Sequence, residues 1–187
     1  MTTIQETYKK KTIPALQEAF RLKNVMQVPK IKFVSVNVGV GRIKDDAQLK
    51  EIQRILSLVT GQRSSSRRTK RAIASFKTRI GMVVGYSVTL RGKRMYDFLN
   101  RLVHVVLPRM RDFHGISRRS FDGRGNLTIG IKEHIVFPEL IGEDVKFIFG
   151  MEVTVVGNAK SREQGMALFE SIGFPLAKEE ETNNRKR

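Results

Sequence analysis

The chain has 187 residues, 40% of them hydrophobic, with 35 Lys and Arg against 18 Asp and Glu, a net charge of +17. That length supports a real apolar core, and so high a hydrophobic fraction argues against a disordered chain. The lack of any Cys excludes disulfides, thiolate zinc sites and cysteine nucleophiles. No stretch approaches the roughly 18 consecutive apolar residues of a membrane span. The excess of cations points to nucleic acid as the partner, ahead of an anionic membrane surface. The N-terminus has no apolar signal core, and Glu6 with no early Arg argues against a transit peptide. A soluble, cytoplasm-like compartment is therefore expected.

Ile4, Tyr8, Leu16 and Phe20 fit a helical stripe that Pro14 is expected to interrupt. Lys9, Lys10 and Lys11 read equally as a solvated face or a phosphate contact. Asn24 to Lys30 is a turn into the first strand, about Ile31 to Val40. Val34, Val36, Val38 and Val40 point to the core; Phe33, Ser35, Asn37 and Gly39 point the other way. Gly39 and Gly41 do not continue into a dinucleotide or P-loop pattern, so no cofactor is expected; they read as permitting a tight turn and close backbone approach. Asp45 or Asp46 caps a helix with Leu49, Ile52, Ile55, Leu56 and Val59 as its stripe, and Gly61 ends it.

From Ile52 to Tyr96 there is no Asp or Glu, while Arg63, Arg67, Arg68, Lys70 and Arg71 crowd its centre. Short hydroxyls alternate there with long cations, a pattern suited to phosphates; the alternative is a basic loop or solubilising face. The stretch reads as a strand leading into a long loop. The part from Ser75 to Gly85 carries Phe76, Lys77, Thr78, Arg79 and Met82, a candidate contact tip unless Phe76 and Met82 pack locally. Tyr86, Val88 and Leu90 then alternate with Ser87, Thr89 and Arg91 in a further strand. Beyond Gly92, the residues Met95, Phe98, Leu99, Leu102, Val103 and Val106 form a wide apolar helical face, which Pro108 ends or kinks. His104 is expected to be packed. Arg109 to Asn126 reads as a long ordered loop. Leu127, Ile129 and Ile131 alternate with Asn126, Thr128 and Gly130, and Met151, Val153 and Val155 form the last strand. Between them, Ile135 to Gly150 reads as irregular with a short helix. Ser161 and Gln164 make a capping box for a helix that buries Ala167, Leu168 and Ile172 and stops at Gly173. Lys178 to Arg187 reads as a disordered charged tail.

The expected fold is α+β: a single domain over 1–177, with a mainly antiparallel sheet, helices packed on one face and a low polar face on the other. A solvent-facing sheet usually carries long charged side chains. Ser35, Asn37, Gly39, Ser87, Thr89 and Thr128 instead leave a surface able to approach an RNA minor groove. No pair of stacking aromatics suggests a single-strand platform. His104, His114 and His134 lie ten or more residues apart, without a metal or catalytic spacing, so neither an enzyme nor a metal site is expected.

Several long motifs carry a resemblance. They are Asn24-Val-Met-Gln-Val-Pro-Lys-Ile, Val36-Asn-Val-Gly-Val-Gly, Val88-Thr-Leu-Arg-Gly-Lys-Arg-Met-Tyr-Asp-Phe-Leu, Leu107-Pro-Arg-Met-Arg-Asp-Phe, Ser120-Phe-Asp-Gly-Arg-Gly-Asn and Gly130-Ile-Lys-Glu-His. In this order, from about Tyr8 to Phe174, the chain resembles the family of the bacterial-type large-subunit ribosomal protein number five. It departs from the family pattern at Ser64 to Arg67 and at Ser75, Ile80 and Val83. The resemblance implies one α+β domain that binds 5S rRNA in the central protuberance. Its further partners would be P-site tRNA, 23S-type rRNA, neighbouring large-subunit proteins and a small-subunit head protein, with no membrane. The implied rRNA site is Ser35, Asn37, Gly39, Arg63, Arg67, Arg68, Lys70, Ser87, Thr89, Arg91 and Thr128. The implied tRNA contact is Phe76, Lys77, Thr78, Arg79 and Met82. Arg111, His114, Arg118 and Arg119 would lie toward the inter-subunit bridge. The rival reading is a basic RNA-binding protein acting outside the ribosome.

Overall fold

The computed structural model describes residues 3–43, 45–76, 78–111, 113–143 and 145–177. It is an α+β fold built on a five-stranded antiparallel sheet in the order β2-β3-β1-β5-β4. The strands are β1 (Ile31–Gly39), β2 (Ser65–Arg68), β3 (Val83–Leu90), β4 (Leu127–Ile131) and β5 (Met151–Gly157). Four helices accompany them. Helix α1 runs through Ile4–Thr7, Tyr8–Thr12 and Ile13–Ala19, and α2 is Asp46–Thr60. Helix α3 runs through Gly92–Arg101, Leu102–Val106 and Leu107–Arg109, and α4 is Arg162–Ile172. The expected tail, Lys178 to Arg187, lies outside the described residues.

Contacts divide the chain into two compact units. One holds the described residues of Met1–Val34, Arg91–Ile129 and Thr154–Arg187; the other holds Ser35–Leu90 and Gly130–Val153. The boundary falls inside β1, β4 and β5.

In the first unit, α1, α3 and α4 pack around Ile4, Leu16, Met95, Phe98, Leu102, Val106, Leu168 and Phe169, all buried. The Ile4 N–H donates to Asn100 Oδ1 at 2.8 Å, tying the start of α1 to α3. The Phe169 ring meets Phe174 edge-on at 5.1 Å and Phe121 at 5.6 Å. At α4, Ser161 Oγ accepts the Gln164 N–H at 3.3 Å, while Gln164 Oε1 accepts the Lys160 N–H at 3.2 Å. The expected cap forms at Ser161, and the return bond from Gln164 reaches one residue earlier, to Lys160. Gly165 in α4 lies so near the Asp122–Asn126 turn that a Cβ there would stand 2.4 Å from Gly125 Cα. That turn is self-braced: Asp122 Oδ1 accepts N–H groups of Arg124 at 2.9 Å and Asn126 at 2.8 Å.

In the second unit, Asp45 Oδ1 accepts the Ala47 N–H at 3.0 Å to begin α2, and Gly61 ends it at φ +66°. Ile52, Ile55, Leu56 and Val59 are buried, each gaining about 1.5–3 kcal/mol over exposure. Val36 and Val38 of β1, with Tyr86, Val88 and Leu90 of β3, are buried on alternate positions, as the pattern predicts. Two short 3₁₀ turns, His134–Val136 and Pro138–Leu140, occupy the irregular stretch before β5.

Four expectations need correction. Pro14 does not interrupt α1. The turn before it widens, so that the Ile13 N–H reaches Tyr8 O, five residues back. Widening moves the Lys10 carbonyl off the proline ring that would otherwise strike it. The same device precedes Pro108, where the Leu107 N–H reaches Leu102 O. His104 is exposed, because the stripe through Leu99, Leu102, Val103 and Val106 leaves it on the opposite side. Gly39 and Gly41 have neither positive φ nor close neighbours; the close approach is at Gly85, where a Cβ would stand 3.1 Å from Val38 O. Gly85 is also inside β3, not at the end of a loop, because β3 begins at Val83.

Candidate nucleic-acid interface

In the second unit, β2 is a short edge strand whose four residues are all exposed. It pairs antiparallel with β3, Ser65 opposite Ser87 and Arg67 opposite Gly85, with a bulge between Arg67 and Arg68. The missing side chain at Gly85 lets Arg67 reach diagonally, and its Nη2 donates to Ser87 Oγ at 3.2 Å. Ser87 is therefore 9% exposed, covered by the guanidinium instead of open to a partner. Asn37 and Gly39 are exposed and Ser35 and Thr89 half-buried on the non-core positions of β1 and β3. Arg63, Arg67, Arg68 and Lys70 are all exposed, and none has a carboxylate partner among the described residues. Arg54 differs: Glu51 and Glu143 pair with it at 2.8 and 2.9 Å, which neutralises it. Sequence reasoning missed Gln62, whose Nε2 donates to Thr89 O at 3.3 Å. Its place between the Gly61 cap and Arg63 was the available signal.

The excursion between β2 and β3 is not a loose loop. The Thr69 N–H donates to Met82 O at 2.9 Å, and the Gly81 N–H donates to Thr69 O at 3.0 Å. Thr69 Oγ1 also donates to Arg79 O. Further out, Ile73 and Thr78 bridge, and Ala74–Phe76 forms a 3₁₀ turn. Phe76 is 74% exposed and Arg79 is exposed, so both stand at a tip. Thr78 is half-buried in the Ile73 bridge, and Met82 turns inward to line a groove with Leu49 of α2. Ile80, at 73% exposure, takes the apolar place at the tip that Met82 was expected to hold. Lys77 lies outside the described residues.

In the first unit, Arg91 is exposed and its guanidinium lies 4.8 Å above the Phe33 ring. Thr128 is half-buried, its Oγ1 3.3 Å from Thr154 Oγ1. Arg111, His114, Arg118 and Arg119 are exposed on the segment after α3. Ser117 Oγ caps the Arg118–Ser120 turn, and Ile116 pairs with the segment after α4 through Pro175 O at 2.8 Å and the Ala177 N–H at 3.0 Å. Gly115, at φ +101°, permits this: a Cβ there would stand 2.8 Å from Ala177 N.

His134 is fully buried and stacked on Phe149 at 4.0 Å, and Nδ1 accepts the Phe149 N–H at 3.3 Å. Burial pushes its imidazole below the usual histidine range, against the raising effect of the Phe149 backbone. Among the described residues no cluster of three His, Asp or Glu could hold a metal, and no helix is long and apolar enough to cross a membrane.

These features define a class: a basic α+β protein whose sheet displays small polar groups and unneutralised arginines. Comparison with known proteins narrows it. Residues 24–79 match the family model of ribosomal protein L5, and residues 83–176 match the model of that ribosomal family's C-terminus. The large ribosomal subunit protein uL5 of Thermoanaerobacter sp. (strain X514) is 46% identical over 179 residues, covering 95% of this chain and 100% of that one. That of Chloroflexus aurantiacus (strain ATCC 29366 / DSM 635 / J-10-fl) is 47% identical over 174 residues, 92% of this chain and 97% of the relative. The chain belongs to the uL5 family of large-subunit ribosomal proteins. It is a structural constituent of the cytoplasmic ribosome and not an enzyme.

Proposed function

We propose that this protein holds 5S rRNA in the central protuberance. The contacts are Ser35, Asn37, Gly39, Arg63, Arg67, Arg68, Lys70 and Thr89 in one unit, where the covered Ser87 acts only by holding Arg67, and Arg91 and Thr128 in the other. The observation that carries the reading is the combination of exposed, carboxylate-free Arg67 and Arg68 with the low groups at Asn37 and Gly39. Charge alone would bind any polyanion; small hydrogen-bonding groups beside it favour the shallow minor groove of an RNA helix. The cations also deter sheet-edge pairing, but that role would be served by any one of them. Arg67 has a double part, contacting RNA and holding Ser87 in place.

The tip at Phe76 and Arg79 reaches P-site tRNA, with Thr78 and Met82 shaping it from within, and Lys77, by its place in the sequence, adds a cation to the same contact. Arg111, His114, Arg118 and Arg119 face the small-subunit head across a bridge. 23S-type rRNA and neighbouring proteins complete the surroundings.

Filter binding over a salt series tests the central claim. Arg68→Ala should weaken 5S rRNA binding and flatten the log–log salt dependence by about one unit for a lost phosphate contact. Equal affinity of the unaltered protein for 5S rRNA and an unrelated hairpin of the same length would defeat it.

A further inference from the structure

We infer that Phe33 and Arg91 form a stacking site for one unpaired nucleobase of the bound rRNA, with Phe33 as the positioning residue and Arg91 as the contact. The inference rests on the proposed rRNA-binding role of this protein. Phe33 occupies the same alternating phase of β1 as Ser35, Asn37 and Gly39, whose side chains are small or absent, and it follows the buried Ile31 on that phase. A half-buried benzene ring on such a face is out of keeping with it, since apolar surface gains nothing from water. Among the described residues its ring partner is the Arg91 guanidinium, 4.8 Å from the centroid, inside cation–π range.

Arg91 is otherwise unengaged. Among the described residues no carboxylate pairs with it, and none of its guanidinium N–H groups donates a hydrogen bond within the protein. A guanidinium held by a ring, and not by an acid, keeps its full charge, its donors and its outer flat face. It also loses little further freedom on binding, which lowers the ordering cost of a contact. A solvated cation needed only for charge has no use for such support; a planar group that must meet a flat partner does. Unpaired bases of RNA stack on arginine planes and aromatic rings, whereas bases inside a helix are not available to them. The stack would run Phe33, Arg91, base, with the guanidinium edge free for the base or its phosphate. The pattern is invisible as an aromatic pair in the sequence, because the second member of the stack is an arginine 58 residues later by number (91 minus 33).

The test uses the full chain and 5S rRNA, with Phe33→Leu, Phe33→Tyr, Arg91→Lys and Arg91→Ala compared across a salt series. Phe33→Leu and Arg91→Lys are each expected to bind about tenfold more weakly, the scale of one lost stack, with the salt slope unchanged. Phe33→Tyr should bind like the parent, and Arg91→Ala should lose both affinity and about one unit of slope. Arg91→Lys binding as well as the parent would overturn the stack and leave Arg91 a plain phosphate contact. Phe33→Leu binding as well as the parent, with the fold intact by circular dichroism, would overturn the positioning role. A parent protein that does not prefer 5S rRNA to an unrelated hairpin would remove both this inference and the reading beneath it, an outcome distinct from the variant results.

Discussion

Two residues show how far side-chain chemistry controls behaviour here. Buried His134 has its imidazole depressed in the fold, so the unfolded chain binds more protons wherever pH lies between the folded value and about 6.5. Stability is therefore full above about pH 6.5 and declines as pH falls through that window. His134→Gln should flatten the change in urea midpoint between about pH 6.5 and pH 5, and an unchanged slope would assign it to other groups. Asp122 does not confuse this measurement. Burial works against its carboxylate, but hydrogen bonds from Asn126 and Arg124 outweigh it and hold the carboxyl below its usual range. Its contribution is lost only as pH drops into that lower region. Asn37 is proposed to act differently, by fit. Asn37→Leu removes a hydrogen-bonding group worth roughly 0.5–1.5 kcal/mol, so 5S rRNA affinity should fall while the salt slope stays. If that variant instead unfolds at room temperature, Asn37 supports the fold and not the RNA. The position of Asn37 on the open face is legible from strand alternation. The covering of Ser87 is not, because it depends on Arg67 crossing a bulged pair.

At the scale of elements, periodic stretches are readable and interruptions are not. The stripes of α2 and α3, the valine face of β1, the core-facing Tyr86, Val88 and Leu90 of β3 and the phase of β4 agree with burial, since period decides which side meets the core; the outward phase of β3 does not, because Ser87 is covered. Proline misleads in α1, because a chain can widen one turn and keep its helix. The excursion between β2 and β3 reads in the sequence as one long loop. Its internal bonds depend on Thr69 meeting Arg79 and Met82, partners ten and thirteen residues away that no local pattern announces. Those bonds make the tip a self-supporting projection, so removing it should leave its base intact. Replacing residues 71–80 with a tight Asn-Gly turn should keep isolated 5S rRNA binding within about threefold, the scale of a surface change of roughly 0.5 kcal/mol. The same variant should enter large subunits yet retain P-site tRNA less well in filter binding to loaded ribosomes. Lost 5S rRNA affinity in a folded variant would move the projection into the primary site.

For the whole molecule, neither compact unit is a continuous length of chain. The first needs residues before Val34, then Arg91–Ile129, then Thr154 onward; the second needs Ser35–Leu90 and Gly130–Val153. Matches to two family models, 24–79 and 83–176, divide the chain at a different place, within the second unit. Cutting between Arg79 and Val83 should therefore yield two fragments that each lack part of both cores. Separately expressed 1–79 and 83–177 should show little cooperative thermal unfolding by circular dichroism, and a cooperative transition in either would mean that one fragment carries a core of its own. The same interleaving sets a timetable for a growing chain. The second unit cannot close until Val153 has been made, and the first must wait for Leu168 and Phe169 in α4. Throughout that interval the acid-free stretch from Ile52 to Tyr96 is already synthesised, with its own acids Glu51 and Asp97 only at its edges. A newborn chain thus presents concentrated positive charge before it has a fold to arrange it, and until its last helix forms it attracts any nearby nucleic acid without discrimination.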